Sequence, residues 1–133
     1  MPKNQCKKVE IEFINPRTWQ IVIPLGQIDI IQYPTYSNNI EYIYTCGKIH
    51  PTPIQGRGRW TEFEAKYIDL EYNYGAYFFE KQQPLGDLFA IIYENQEEIL
   101  SLDNVYIQQY EIKNYNELEF ILSVNNVKYN IKQ

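Results

Sequence analysis

From Arg59 to Leu70 the chain alternates, with Thr61, Phe63, Ala65 and Tyr67 on one face and Glu62, Glu64 and Lys66 on the other. Side chains of an extended backbone point to opposite faces with a period of two, so the pattern predicts a strand buried on one side only. At ~3.3 Å per residue such a strand would run about 35–40 Å, and must either bend or reach beyond its own domain. Val9, Ile11 and Phe13 against Lys8, Glu10 and Glu12 repeat the pattern, as do Leu118, Phe120, Leu122 and Val124. Composition agrees, because 13 Tyr, 6 Phe and 2 Trp stand among many Ile and Val, while Met occurs once. Aromatic and β-branched side chains suit a pleated, half-buried surface, and good helix formers are sparse. At 133 residues the chain is long enough to close one core, and too short for two ordinary ones. The expected fold is a single mainly β domain over residues 1–133, an antiparallel β-sandwich or barrel with at most one short helix.

Turn-forming residues divide the chain. A first strand through Phe13 stops at Asn15-Pro16-Arg17, and Trp19, Ile21 and Ile23 begin a second that Pro24 and Gly26 end, the two forming a hairpin. Gln27 to Tyr33 reads as a third strand, closed by Pro34 and Ser37-Asn38-Asn39, and Glu41 to Thr45 as a fourth. Gly47 to Gly58 contains Pro51, Pro53 and Gly56, shows no period, and reads as an exposed loop. Beyond Gly75 the pattern predicts a short apolar strand at Tyr77-Phe78-Phe79, a turn from Gln82 to Gly86, a buried strand or helical turn from Leu88 to Tyr93, and a strand from Glu98 to Leu102. The one helix is placed over Pro84 to Ile92, where proline could start it. Val105 to Ile112, Leu118 to Val124 and Val127 to Ile131 read as a closing antiparallel meander with turns at Asn114 to Asn116 and Asn125-Asn126.

The net charge of −5 and pI near 4.9 repel phosphate, against the basic footprint of a dedicated nucleic-acid binder. The basic residues of Met1 to Lys8 precede no apolar run, so neither a signal peptide nor a membrane anchor is expected, and no later segment approaches the ~20 apolar residues of a spanning helix. Cys6 and Cys46 could pair, but a reduced state is expected for such a chain, and no second ligand beside Cys46 supports zinc. His50 stands alone in the Pro/Gly loop, so a hydrolase triad lacks its parts. Glu62 and Glu64 could place two carboxylates within ~7 Å for glycoside chemistry, yet alternating charge is what any solvated strand face shows. No catalytic, cofactor or metal residues are therefore expected, and no enzyme. The most distinctive segment is Gln55 to Trp60, where two arginines on a flexible backbone adjoin a tryptophan. Such a segment can clamp phosphates and stack a base, or meet acids on another subunit. Gly56, Arg57, Gly58, Arg59 and Trp60 are the candidate subunit interface. The alternative is a small β-barrel that binds nucleic acid or carbohydrate through Arg57, Arg59 and Trp60.

The strand end Ile43-Tyr44-Thr45-Cys46-Gly47, the loop through Pro51, Pro53 and Ile54, and Gly56-Arg57-Gly58-Arg59 leading into Thr61 to Leu70 together resemble the tail-tube fold of bacteriophages. That family carries a Tyr-x-x-Gly strand end, a Pro-containing loop and a Gly-Arg/Lys turn before its central strand. Leu85 to Tyr93, followed by Glu98 to Leu102 and Val105-Tyr106-Ile107, is similar to the family's Asp-x-Phe segment, connector and next strand. The similarity spans residues 25 to 112. A weak helix signal and a Tyr-rich surface depart from the pattern, which leaves tube, baseplate ring and tail-completion roles open. The resemblance implies a structural protein that forms six-fold rings with copies of itself and meets other tail or baseplate proteins, in a virion tail assembled in the host cytoplasm. DNA would be passing cargo. Long two-faced strands leave unpaired edges, and ring closure satisfies them by strand addition from the next subunit. An acidic wall lets DNA slide where phosphate contacts would hold it.

Overall fold

Each alternating run becomes a strand whose apolar face turns inward. The computed structural model describes residues 7–38, 40–43, 47, 52–55, 58–81 and 87–130. In chain order the elements are β1 (Val9–Ile14), β2 (Ile21–Gln32), β3 (Tyr36–Ser37), β4 (Ile40–Ile43), β5 (Thr52–Gln55), β6 (Arg59–Trp60), β7 (Phe63–Tyr67), a 3-10 turn (Leu70–Tyr72), α1 (Tyr74–Lys81), β8 (Leu88–Glu94), β9 (Glu97–Lys113), β10 (Glu117–Ser123) and β11 (Asn126–Tyr129). Six of them close an antiparallel barrel in the order β1-β2-β7-β10-β9-β8 and back to β1. The expected mainly β barrel with one short helix is what forms.

Closure depends on two long strands that bend. β2 pairs with β1 through its first half and with β7 through its second, and β9 likewise passes from β8 to β10. Strands that turn such corners do so at bulges. In β2 the register against β1 slips by one between Ile23 and Gly26, at Pro24 and Leu25, which leaves the proline where no ladder hydrogen bond is needed. In β9 the slip against β8 falls at Asp103 and Asn104, with Asn104 left-handed at φ 55°. The Pro24–Gly26 and Asp103–Asn104 breaks expected from the sequence are therefore bulges inside continuous strands. Asn95 and Gln96, both at positive φ (51° and 70°), form the two-residue turn between β8 and β9, as the twist of a hairpin requires.

The barrel has no open lumen. Ile11, Phe13, Ile23, Phe63, Ala65, Tyr67, Ala90, Ile92, Leu102, Leu118, Phe120 and Leu122 are fully buried and fill it. α1 packs against β2, and its Phe79 meets Phe13, Tyr67, Tyr110 and Phe120 at centroid distances of 6.0, 5.4, 5.9 and 5.0 Å. The approach is backbone to backbone: a Cβ on Gly75 would lie 2.6 Å from Gly26 Cα, so only glycine fits. Tyr77-Phe78-Phe79 is thus helical where a strand is expected. The predicted helix over Pro84 to Ile92 is corrected too, since Leu88 to Ile92 belong to β8, while 82–86 lie outside the described residues.

Asn73 holds this junction. Its Nδ2 donates to Gln27 O (2.7 Å) and Ile68 O (2.8 Å), and its Oδ1 accepts from Ala76 N–H (3.3 Å), capping α1. Asn73→Ala removes the cap and strands two carbonyls, and should cost about 2–4 kcal/mol. Asn73→Asp keeps a good cap but turns a carboxylate on the same carbonyls, so it should not rescue. Guanidinium unfolding of both variants checks this, and a full rescue by Asp would mean that capping alone matters.

Tyr67 is fully buried, and its hydroxyl has no hydrogen-bond partner among the described residues. Burial pushes its phenol well above the ordinary value near 10. The unfolded phenol ionises near pH 10, so above that pH the unfolded state binds fewer protons and stability falls, by up to about 1.4 kcal/mol per pH unit. Tyr67→Phe should be neutral or stabilising by up to about 1 kcal/mol at pH 7. It should also flatten the alkaline decline between pH 10 and 11.5 relative to the parent. Chemical denaturation across that range reads the difference, and parallel declines would exclude Tyr67 as its source.

Several boundaries differ from expectation. The long strand expected from Arg59 to Leu70 is interrupted at Thr61-Glu62, leaving β6 and the five-residue β7. The longest strand is instead the 17-residue β9. Gly47 to Gly58 is not irregular throughout, because Thr52–Gln55 forms β5 against β4. β11 does not fold back on β10 as a meander would: it continues along the same edge of β9, with Val127 opposite Leu102.

Candidate functional site

The hairpin β2–β7 does not end at the barrel wall. Gln32 pairs with Glu64, Tyr36 with Trp60, Ser37 with Arg59, and Ile40 to Ile43 with Gln55 to Thr52, in a nearly constant register. Among the described residues these rungs fall in the barrel sheet and in two further two-stranded sheets, β3–β6 and β4–β5, and the latter two are together called the arm beyond Gln32. Beyond Gln32 neither β3–β6 nor β4–β5 pairs with a barrel strand among the described residues. Among the described residues the outer edges of this arm have no strand partner, and such edges invite strand addition. Open margins are expected on the long two-faced strands, but those strands pair on both sides within the barrel; the pairs β3–β6 and β4–β5 are the ones that ladder with no third strand among the described residues.

Of the candidate interface residues, Gly58, Arg59 and Trp60 lie at the root of this arm. Thr61 N–H donates to Thr35 O (2.8 Å) and Thr35 N–H donates to Thr61 Oγ1 (2.8 Å), clasping the two strands. Trp60 packs edge-on to Tyr36 (5.3 Å, 65°) and tilted against Tyr129 (6.4 Å, 46°), whose hydroxyl donates to Pro34 O (2.8 Å). A Cβ on Gly58 would meet the Tyr36 hydroxyl and lie 2.6 Å from Asn38 Oδ1, so a larger residue here would push aside the tips of two exposed side chains. Arg59 is exposed and forms no ion pair among the described residues. Between root and barrel runs a groove of about 600 Å³, lined by Arg59, Trp60, Glu62, Gln108, Ser123 and Asn125 among others.

The structure thus brings Gly58, Arg59 and Trp60 together, while Gly56, Arg57, His50, Cys6 and Cys46 lie outside the described residues. Trp60 is half-buried between two tyrosines, which removes it from the open stacking platform a nucleobase requires. Glu62 sits in the groove, outside any strand, and Glu64 sits in β7 opposite Gln32. Tyr36 and Tyr129, which position Trp60, carried no local signal in the sequence; only the pairing of β3 with β6 and of β11 with β9 brings them there. Among the described residues no group of three or more His, Cys, Asp and Glu could hold a metal ion, and no helix is long and apolar enough to cross a membrane.

No protein-family model matches this chain, and no curated protein sequence does. Among solved structures, a chain of the anti-feeding prophage baseplate, determined by cryo-electron microscopy with six-fold symmetry imposed, is similar in fold. The TM-score is 0.54 over 96% of this chain and 95% of that one, at 5% sequence identity. The likeness is one of fold, and it extends over nearly the whole of both chains.

Proposed function

We propose that this chain is a structural assembly protein of a phage-like tail, a ring component of the baseplate or tube that is joined to its neighbours through the arm. The observation that supports the reading is the arm itself: strand pairs that, among the described residues, ladder with no third strand, beside a six-stranded barrel that closes on itself. A sealed barrel folds alone, and an open ribbon is completed by another chain. The fold shared with a baseplate chain supports the same reading. In this proposal six copies close a ring, other baseplate proteins stack on it, and DNA passes through without specific contacts. The net charge of −5 suits that passage. Arg59, exposed and without an ion pair among the described residues, would with Arg57 offer guanidinium groups to acids on the adjoining subunit.

Light scattering behind size exclusion should give a mass close to six times the 16.0 kDa chain, and negative-stain images should show rings. A strict monomer at high concentration counts against the reading. Arg57→Ala combined with Arg59→Ala should abolish the ring and leave circular dichroism unchanged. If rings persist in that variant, the arginines are not part of the joint.

A further inference from the structure

The loop between β1 and β2 holds Trp19 at φ 61°, a left-handed conformation that a bulky aromatic residue adopts only when its surroundings impose it. The constraint comes from Asn15. Its N–H donates to Gln20 O (2.9 Å), its carbonyl accepts from Trp19 N–H (2.8 Å), and its Oδ1 accepts from Arg17 N–H (2.9 Å). The loop so fixed presents an indole that is 67% exposed. One ring contact, edge-on to Phe89 at 5.7 Å and 70°, steadies the indole without covering it.

Beside this indole lies a recess of about 510 Å³, walled by Trp19 and Phe89 and lined by Glu98, Ser101, Asp103, Asn126 and Lys128. Its size is within the range of small-molecule sites, ~300–1,000 Å³. Four of the polar residues sit on one rigid ladder, where β9 and β11 place Ser101 opposite Lys128 and Asp103 opposite Asn126. Glu98 is held by Asn130, whose Nδ2 donates to its Oε2 (2.7 Å). Neither Asp103 nor Lys128 forms an ion pair among the described residues.

The chemistry of this set selects its ligand. Asp103 and Glu98 accept, Lys128 donates, and Ser101 and Asn126 do both. An anion would face two carboxylates. A cation would face Lys128 and leave its donors unused. A neutral polyhydroxylated ring can use every group, with its apolar C–H face laid on the indole. We propose that the recess binds an uncharged saccharide, one pyranose ring on Trp19 and its hydroxyls on Asp103, Asn126 and Ser101. This site does not involve the arm and stands whether or not the chain forms rings.

The chain has two tryptophans, so Trp60→Phe leaves Trp19 as the sole indole reporter. Chitotriose, cellotriose and maltotriose are titrated into that variant while its emission is followed, with calorimetry on the parent. At least one should give a saturable blue shift with Kd on the order of 1 mM. Trp19→Gly suits the left-handed backbone and should keep the melting temperature, yet weaken binding by about tenfold or more. Asp103→Asn should weaken it by about fivefold. Absence of saturation with all three sugars, or equal binding by Trp19→Gly, overturns the proposal. Saturation only by a charged probe, heparin or oligolysine, overturns it as well and reassigns the recess to an ion.

Discussion

Replacing Phe79 by Ala is expected to remove about 3–5 kcal/mol of stability and to lower the melting temperature by on the order of 10–20 °C. The ring is fully buried and touches aromatic side chains from β1, β7, β9 and β10. Its loss deletes the transfer free energy of a whole phenyl group and leaves a hole whose walls are strands locked by their ladders, so collapse is restricted. α1 would lose its main anchor as well, since the other residues it packs inward are Gly75, Ala76 and the partly buried Phe78. Phe79→Leu should recover most of the loss, because it refills the cavity without asking for new backbone. Thermal unfolding by circular dichroism measures both variants. A fall below about 1 kcal/mol for the alanine variant would mean that the helix contributes little to the barrel.

Exchanging Ser37 to Arg59 for Asn-Gly should leave a folded barrel that no longer assembles. The Tyr36–Trp60 pair remains as the last rung, and a two-residue turn of that sequence supplies the positive φ values a tight hairpin needs. Every ladder within the barrel is retained, from Ile28 opposite Tyr67 to Gln32 opposite Glu64, and so is the contact of Trp60 with Tyr129. The melting temperature should therefore stay within about 5 °C of the parent, while light scattering moves from rings to a single chain. Rings that survive the exchange would place the joint on another surface. Loss of folding would show instead that the arm belongs to the barrel's own folding unit.

Much of the candidate site was legible only in outline. Arg59 and Trp60 stand out in the sequence, but their role depends on Tyr36 and Tyr129, which are brought to them by two separate ladders. Trp19 reads locally as the first apolar residue of a strand; in the structure it is an exposed turn residue beside Phe89. Nothing in its neighbours' side chains announces a left-handed backbone, because the hydrogen bonds that impose it close only when β1 and β2 pair.

The sequence alone determined which side of each strand faces inward. Ile11 and Phe13, Phe63 to Tyr67, and Leu118 to Leu122 are buried at alternate positions as their pattern requires, since a slip of one residue would expose every apolar side chain. It also determined that the chain is mainly β. Which strands pair, and where they end, was decided by the tertiary structure. Backbone hydrogen bonds carry no residue label, so Pro24-Leu25 and Asp103-Asn104 read as breaks until β1 and β8 hold the chain on both sides and turn them into bulges. The helix Tyr74–Lys81 is the clearest case. Eight residues with a glycine and four aromatic side chains would not hold a helix in water; Asn73 caps it, Gly26 admits it, and the open end of the barrel takes in Phe79.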